Sequence, residues 1–235
     1  MATKQSPLLC ELHAHSTWSD GALSVRELCD LYGRSGFDVL AVTDHTTRND
    51  GCVREPNFDV YLESITIEAK RARCLYDLLV IPGLELTYDD PVPEEAGHAL
   101  ALGLRSFVGV DDGLEHAVRA ARERGAALVA AHPSTPETAD QTTRGTAAFG
   151  ADPERWVPLL DRFELFNRNT LFGWVAESGL PAVATGDFHV GVHLATWKTL
   201  VPCAKEEQAV VEYLRSTRPT FLVRLDGGER LRDAA

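Results

Sequence analysis

Short apolar segments alternate with longer amphipathic segments along most of the chain. Seven of the apolar segments have the length and residue types of β-strands, near residues 8–13, 38–43, 79–86, 98–104, 127–131, 162–166 and 182–186. Strands that alternate with helical segments are typical of parallel βα units. The pattern therefore predicts an α/β barrel, with a further strand at 220–224 that either packs outside the barrel or closes it.

The segments between these strands carry the start and stop signals of helices. Ser24 and Glu27 have the spacing of a capping box, and apolar residues at helical spacing follow as far as Gly36. Asp112 and Glu115 repeat that spacing before a second apolar stripe. Further helices are predicted near 59–78, 170–178 and 205–216.

Histidine and acidic residues stand at the ends of the predicted strands. In a strand, residues i and i+2 point to the same face, so His13 and His15 project together, as do Asp187 and His189. A parallel barrel brings the carboxyl ends of its strands to one mouth. The nine residues predicted to meet there are His13, His15, Asp20, His45, Glu85, His98, His132, Asp187 and His189.

This predicted cluster has the chemistry of a metal site. Imidazole and carboxylate groups together are typical ligands of Zn²⁺, Mn²⁺ and Fe²⁺, whereas oxygen ligands alone would indicate Mg²⁺ or Ca²⁺. Nine ligands are more than one ion uses, so two or three divalent ions are predicted. A single histidine at a strand end usually has a structural role, but independent roles would rarely place six of the eight histidines in this way.

Composition limits the class of protein. The chain has 235 residues, 44% of them hydrophobic, which suits one domain with a substantial core. The sequence shows no signal peptide and no membrane-spanning run, so a soluble, cytoplasmic protein without a membrane partner is predicted. The net charge of -12 disfavours stable nucleic-acid binding. Five scattered cysteines without a CxxC motif predict free thiols, and no feature indicates an oligomeric state.

The order of these motifs resembles that of the PHP family, named for polymerase and histidinol phosphatase. His13-Ala14-His15 with Asp20 is similar to the first motif of the family, and Thr43-Asp44-His45 to the second. The later motifs are matched by Glu85 with His98, by Ala131-His132-Pro133 and by Gly186-Asp187-Phe188-His189. The resemblance extends from residue 8 to residue 190, and the complete set in this order is specific although each motif alone is weak.

The resemblance implies a distorted seven-stranded (β/α)7 TIM-like barrel of the PHP type, with up to three divalent ions at its mouth. Residues 1–235 are then a single PHP domain, with the ligand-bearing barrel at 8–190 and a C-terminal helix and strand at 197–225. By match of motif, the three ligand sets are His13, His15, Glu85 and Asp187; Glu85 as a bridge with His98 and His132; and Asp20, His45 and His189.

The activity that the resemblance implies is that of a metal-dependent phosphatase or phosphoesterase. Its substrate would be a small phosphomonoester such as a nucleotide, a bisphosphate, or a sugar or amino-alcohol phosphate, attacked at phosphorus by a metal-activated hydroxide. The predicted catalytic residues are Glu85, Asp187 and His189. Glu85 is the predicted bridging ligand. Asp187, His189 and a metal-bound water are the candidates for protonating the leaving group. Asp44 is predicted either to accept a hydrogen bond from the ring nitrogen of a ligating imidazole that does not bind the metal, or to cap a turn.

Four residues near the predicted mouth, together with Arg144 in the polar stretch 133–150, are candidates for binding the substrate. Arg168 follows a strand and suits bidentate contact with phosphate, or else forms a salt bridge on the rim. Asn167 is a candidate for contact with a substrate hydroxyl, and Arg48, Lys198 and Arg144 are weaker candidates for phosphate. The polar stretch 133–150 is predicted to be either a lid or a surface loop.

Two other functions fit the same residues. A metal-dependent C–N or C–O hydrolase of the amidohydrolase type would use a similar barrel, but such barrels typically bridge their ions with a lysine, and Glu85 has that role here. A non-catalytic metal-binding PHP module would serve another protein, and such modules tend to lose ligands. The presence of all nine residues favours the phosphoesterase.

Overall fold

The computed structural model describes residues 6–48, 51–139 and 146–226. The strands are β1 (Leu8–Glu11), β2 (Val39–Val42), β3 (His45–Thr46), β4 (Leu79–Tyr88), β5 (Gly97–Leu102), β6 (Ala127–Ala131), β7 (Arg162–Asn167), β8 (Thr170–Leu171), β9 (Ala182–Thr185), β10 (Trp197–Val201) and β11 (Phe221–Arg224). The helices are α1 (Val25–Arg34), α2 (Glu55–Tyr76), α3 (Leu114–Glu123), α4 (Ala148–Ala151), α5 (Pro153–Trp156), α6 (Gly173–Ser178) and α7 (Glu207–Leu214).

All of these strands belong to one curled sheet. Their order is β11-β10-β1-β2-β4-β5-β6-β7-β8, with β3 paired to β4 and β9 paired to β7. Each of the seven strands predicted from the sequence has a counterpart, and the predicted extra strand is β11. The fold is therefore mixed α/β, with the sheet curled into a half-barrel.

Strand β5 departs from the predicted parallel pattern. It pairs antiparallel with both β4 and β6, and residues 89–96 join β4 to β5 without a helix. Parallel neighbours need a crossover of roughly a dozen residues or more, and this connection is too short for one. The predicted βα alternation is wrong at this point, although the strand itself is confirmed.

The segment that follows β1 meets the segment that follows β9. Ala14 and Phe188 form an isolated parallel bridge, in which His15 N donates to Phe188 O (2.9 Å) and Phe188 N donates to His13 O (3.0 Å). Among the described residues, longer ladders join β1 to β10 and β2, and β9 to β7. A complete seven-stranded (β/α)7 barrel stays a prediction beyond this half-barrel.

Helix starts follow the sequence in one case and depart from it in another. At α1, Ser24 Oγ accepts a hydrogen bond from Glu27 N while the Glu27 carboxylate accepts one from Ser24 N, so the capping box is confirmed. The second predicted box is wrong, because the N-cap of α3 is Gly113. Its φ of 95° suits glycine and leaves Asp112 outside the cap.

Two apolar clusters lie on the two faces of the sheet. Alternate strand residues point to opposite faces, so Val39 and Ala41 belong to the inner cluster and Leu40 and Val42 to the outer one, under the helices. Helix α7 packs against the inner cluster beside the amino end of β7. The polar residues at the opposite end of the half-barrel therefore lie above an apolar floor.

Two predictions from composition are answered by the described residues. No helix among them is both long enough and apolar enough to cross a bilayer. All five cysteines are free thiols, as predicted, and Cys10, Cys29 and Cys52 are buried.

Candidate metal centre

The nine predicted ligands gather at one end of the half-barrel, called the mouth below. The groups whose ligand atoms lie within 4.8 Å of one another are His15, Asp20, His45 and His189; His13, His15 and Asp187; and His45, Glu85 and His98. His132 joins them through Nε2, which lies 3.2 Å from Glu85 Oε1. The structure thus brings all nine residues together, and their binding of metal stays a prediction.

Two of the nine reach the mouth in a way that the sequence did not indicate. Glu85 lies inside β4, and His98 is the second residue of β5. Because β5 is antiparallel, its amino end lies beside the carboxyl ends of the neighbouring strands, where His98 pairs with Thr87 and Ala131. The expectation that every ligand falls at or just past the carboxyl end of a strand is therefore wrong for these two.

Glu85 stands at the centre of the cluster. Five imidazole nitrogens lie near its carboxylate: His45 Nδ1 (2.9 Å), His13 Nε2 (3.3 Å) and His15 Nε2 (3.3 Å) at Oε2, and His98 Nδ1 (3.0 Å) and His132 Nε2 (3.2 Å) at Oε1. The side chain is fully buried, so its two oxygens face two different sets of imidazoles. This geometry suits a ligand that bridges two ions, which is the role predicted for Glu85.

The three predicted ligand sets fit the geometry with two differences. His13, His15 and Asp187 lie together, and so do Asp20, His45 and His189, but His15 also belongs to the second of these groups. His45 likewise belongs to the group of Glu85 and His98, so each of these two histidines borders two sets instead of one. The number of ions, their identity and the partition of ligands stay predictions.

Several buried atoms of the cluster have no hydrogen-bond partner among the described residues. They are His13 Nε2, His15 Nε2, His189 Nε2 and Glu85 Oε2. The three nitrogens lie 3.2 to 3.3 Å from carboxylate oxygens without hydrogen-bond geometry. Such orphaned atoms cost free energy unless something satisfies them. Converging imidazole nitrogens and carboxylate oxygens are a donor set that divalent ions use, so the residues present fit a metal centre.

Opposite charges shift the pKa values of these side chains. Burial alone would lower the pKa of His13, but the carboxylates of Asp187 and Glu85 outweigh burial and raise it well above the ordinary value. Burial would likewise lower the pKa of His45, yet Glu85 and Asp20 raise it to about 10. Divalent ions compete with these protons, because a ligating imidazole must be neutral.

Glu164 is a buried residue of the site that the sequence did not reveal as functional. Its Oε1 accepts hydrogen bonds from His13 Nδ1 (2.9 Å) and Thr185 Oγ1 (2.6 Å), and its Oε2 accepts from His132 N (2.6 Å) and Asn167 Nδ2 (2.8 Å). A carboxylate at the far nitrogen of a ligating imidazole fixes the orientation of the ring. The available signal was an acidic residue inside an otherwise apolar strand.

We expect Glu164→Gln to weaken metal binding by about 10- to 100-fold, since the loss of such an outer partner has effects of this size. The amide keeps the volume of the side chain but has only one acceptor oxygen, whereas in the wild type the donors use both carboxylate oxygens of Glu164. Competition with a chromophoric chelator measures the affinity. The control is Glu177→Gln, an exposed glutamate of α6. Equal metal affinities in the two variants would show that Glu164 does not support metal binding.

Asp44 takes the second of its two predicted roles. Its carboxylate accepts hydrogen bonds from Ser16 N (2.8 Å), Ser16 Oγ (2.8 Å) and Ser19 Oγ (2.7 Å), and so caps the turn after His15. It reaches the His15 ring only through Ser19 Oγ, which lies 3.4 Å from His15 Nδ1. Other groups lie beside ring nitrogens: Thr87 Oγ1 at His45 Nδ1 (2.6 Å), Thr146 Oγ1 at His132 Nδ1 (3.1 Å) and Asp89 Oδ1 at His98 Nε2 (3.0 Å).

Three residues at the mouth have a left-handed backbone conformation. The φ angles are 31° at His132, 53° at Arg168 and 42° at Asp187. Residues other than glycine rarely adopt such angles, which cost about 1–3 kcal/mol each and are concentrated at functional sites. The fold therefore holds these three side chains in place at a cost in folding stability.

Arg168 and Arg48, two of the four predicted substrate-binding residues, lie at the mouth. Arg168 Nη2 lies 3.0 Å from Asp187 Oδ2 and 3.2 Å from His189 Nδ1. The Arg48 guanidinium lies 4.4 Å from the centre of the Tyr88 ring and lines a cavity of about 210 Å³ that also touches Thr87. Their contact with substrate stays a prediction.

Lys198 and Asn167, the other two, are buried. Lys198 is wholly inaccessible, and its Nζ pairs with Glu11 Oε2 (3.0 Å) and donates to Thr196 Oγ1 (2.6 Å). An amine that is enclosed and paired in this way does not face a substrate, so the predicted role of Lys198 is corrected. Asn167 supports Glu164 through its amide, and its contact with a substrate hydroxyl stays a prediction.

The predicted lid is described in part. Residues 140–145, with Arg144 among them, lie outside the described residues. Trp174 Nε1 donates to Pro133 O (2.6 Å) at the start of the stretch, and Ala148 N donates to Ala96 O (3.0 Å) near its end. Both ends are therefore attached to the body of the domain, and the role of the stretch stays a prediction.

Comparison with known proteins agrees with this geometry. Residues 11–135 match the family model of the PHP domain, which is more than half of the chain, and the chain belongs to this family. A 104-residue stretch is 32% identical to the DNA polymerase/3'-5' exonuclease PolX of Bacillus subtilis. That stretch covers 41% of this chain and 18% of PolX, so the relative is much longer than the shared part.

Solved structures share the fold at low sequence identity. A two-domain protein of Bacteroides vulgatus has a TM-score of 0.69 at 20% identity, covering 94% of this chain and 65% of its own. A protein of Bifidobacterium adolescentis has a TM-score of 0.53 at 16% identity, covering 79% and 90%. Both are described as metal-dependent phosphoesterases, an assignment that is itself a prediction. An amidohydrolase of Chromobacterium violaceum with bound sulfate has a TM-score of 0.53 at 16% identity, covering 77% and 87%.

Proposed function

We propose that this protein is a metal-dependent phosphoesterase that hydrolyses a small phosphomonoester at the mouth of the half-barrel. The observation that carries the proposal is the set of overlapping ligand groups around Glu85, next to the guanidinium of Arg168. Membership of the PHP family and the phosphoesterase descriptions of two structural neighbours support it. The particular substrate, whether nucleotide, bisphosphate or another phosphate ester, stays within this proposal.

In the proposed reaction, the ions supply the Lewis-acid chemistry and the side chains of the mouth bind the ions and move protons. Divalent Zn²⁺, Mn²⁺ or Fe²⁺, two or three in number, would acidify water and balance the charge that develops on a phosphoryl group. His13, His15 and Asp187 would hold one ion, Asp20, His45 and His189 would hold another, and Glu85 with His98 and His132 would supply the remaining ligands. Asp187 and His189 border the mouth and are the candidates for proton transfer to the leaving oxygen.

Arg168 is the residue proposed to bind phosphate. Its Nε and Nη2 donate to Asp187 O (3.2 and 3.0 Å), which fixes the plane of the guanidinium. Its Nη1 has no hydrogen-bond partner among the described residues, and about a third of the side chain is exposed. A guanidinium fixed in this way offers planar donors to a phosphate oxygen without a further loss of rotamer freedom.

Release of inorganic phosphate tests the proposal. With Mn²⁺ added, purified protein is expected to release phosphate from an aryl phosphate or from at least one member of a panel of nucleotides and sugar phosphates. His15→Ala and Asp187→Ala are expected to reduce release to the background rate, because each removes a predicted ligand. Glu177→Gln, at an exposed position of α6, serves as the control and is expected to keep the wild-type rate.

The same panel separates the alternatives. The amidohydrolase neighbour makes a lactone and amide panel informative, and hydrolysis there without phosphate release would favour a C–N or C–O hydrolase. Those barrels typically bridge their ions with a lysine. Among the described residues, Lys198 pairs with the buried Glu11, Lys205 pairs with Asp38 and Asp77, and Lys70 belongs to α2, whereas Glu85 lies between the imidazoles. If the protein binds ions but hydrolyses no substrate in any panel, a non-catalytic PHP module is favoured instead.

A further inference from the structure

Two of the ligand-bearing segments lie side by side although their strands, β1 and β9, share no ladder in the described residues. His13 and His15 follow β1, and Asp187 and His189 follow β9. In the described residues, direct pairing between these segments is limited to the bridge of Ala14 with Phe188. The distance between the His13 and Asp187 side chains therefore depends on whatever else holds this junction, called the seam below.

A buried carboxylate spans the seam. Glu11 is completely inaccessible, and its Oε1 accepts hydrogen bonds from Leu12 N (3.1 Å), His13 N (3.2 Å) and Gly186 N (2.8 Å). Two of these donors belong to the residues that directly follow β1, and the third is the amide directly before Asp187. One oxygen atom is thus attached to the backbone of both ligand-bearing segments, where a closed sheet would have its ladder hydrogen bonds.

Lys198 fixes that carboxylate from the other side. Its Nζ lies 3.0 Å from Glu11 Oε2, to which Tyr32 also donates (3.0 Å). The same Nζ donates to Thr196 Oγ1 (2.6 Å) and His193 O (3.2 Å). These contacts use all three donors of the ammonium group. The pair therefore also ties the loop after His189 to the seam.

The space beside this pair is closed even to a methyl group. A Cβ atom at Gly186 would collide with Glu11 Oε2 and with Lys198 Nζ. Glycine at the position before Asp187 is thus required by the ion pair, and the backbone of the ligand segment lies in direct contact with it.

Stability alone is a weak explanation for such a pair. The desolvation of two buried charges commonly offsets their attraction, so that an apolar pair of similar volume is often equally stable. Geometry is the better explanation, since metal ligands work only when the surrounding residues hold them to within about 0.5 Å. Glu11 lies outside the ligand groups themselves, and the contacts of Lys198 are with Glu11, Thr196 and His193, none of them one of the nine ligands.

We infer that Glu11 and Lys198 are positioning residues of the metal centre: the carboxylate sets the spacing of His13 and Asp187, and the ammonium group holds the carboxylate. This inference rests on the proposed function only for the presence of metal ions, and not on the substrate. The role is indirect, because neither side chain faces the mouth.

Titration with Co²⁺ tests the inference without any substrate. Glu11→Gln, Lys198→Met and the double variant are compared with wild type by Co²⁺ affinity, by the visible absorption spectrum of the bound ion and by urea unfolding of the protein before titration. Both single variants are expected to bind Co²⁺ about 10- to 100-fold more weakly, as outer partners of ligands do, with an altered spectrum. The double variant is expected to recover stability, having no unpaired buried charge, without recovering the spectrum.

Arg162→Met is the matched control, because Arg162 is equally buried but donates to the end of α7 instead of the seam. It is expected to lose stability and to keep the wild-type spectrum. Wild-type affinity and spectrum in Lys198→Met and in the double variant would overturn the inference, even if Glu11→Gln fails to fold. Wild-type protein that binds Co²⁺ without hydrolysing any ester would overturn only the proposed activity, whereas a wild type that binds no Co²⁺ would overturn both.

Discussion

Glu85→Gln is expected to lose at least one equivalent of tightly bound divalent ion and to lower phosphate release more than about 100-fold. The lower bound follows from residues that merely support a ligand, whose loss costs about 10- to 100-fold. Glu85 contacts imidazoles through both oxygens, so the neutral amide removes a charge and replaces one acceptor by a donor directed at His98 or His45.

The size-matched substitution separates chemistry from packing. Glutamine fills the same buried volume, so the variant retains the apolar contacts of β4. Metal content after dialysis against a weak chelator and the initial rate at saturating Mn²⁺ are measured together. Glu94→Gln, an exposed carboxylate in the connection between β4 and β5, is the control and is expected to match wild type in both. Full metal content in Glu85→Gln would show that Glu85 is not a bridging ligand.

The convergence of the nine residues was predictable because its signals are local. Strand alternation places His13 beside His15 and Asp187 beside His189, whatever the rest of the chain does. The strand ends of an α/β sheet meet at one edge, so local placement was enough to predict the gathering. The ion chemistry followed from the residue types alone.

The direction of β5 was not predictable in the same way. A strand has the same alternation whether it runs parallel or antiparallel, and only the short connection 89–96 argued against a crossover. His98 therefore reached the mouth from the amino end of its strand. The predicted ligand was brought to the site by a topology different from the one expected.

Supporting residues were missed or assigned wrongly because their partners are distant in sequence. Glu164 touches His13, and Glu11 touches Gly186 and Lys198, which are contacts across at least 150 positions. The sequence alone does not show that a lysine near the mouth and a glutamate within a strand form an ion pair with each other. Lys198 was therefore assigned to substrate, whereas the fold uses its charge to neutralise Glu11 inside the core.

Arg162→Met is expected to reduce the free energy of unfolding by about 2–6 kcal/mol, because the carbonyls of Tyr213 and Leu214 stay buried and each costs about 1–3 kcal/mol without a donor. The guanidinium is 1% exposed and its donors are directed at the C-terminal end of α7 and the turn that follows: Leu214 O (3.0 Å), Tyr213 O (3.2 Å), Ser216 O (2.7 Å) and Arg218 O (2.7 Å). Carbonyls at a helix end have no partner within the helix, and burial without a donor costs about 1–3 kcal/mol each.

Methionine keeps the apolar part of the arginine side chain but supplies no donor, so the loss reports the hydrogen bonds. Ser216 and Arg218 lie where water can replace the guanidinium, which keeps the expected loss below the sum of four buried carbonyls. Urea unfolding measures the change. The control is Arg119→Met, since the Arg119 pair with Glu115 is exposed and such pairs contribute about 0–1 kcal/mol. If the two variants were equally stable, α7 would be held by its apolar contacts with the inner cluster alone, and Arg162 would not be the residue that fixes the end of α7 to β7.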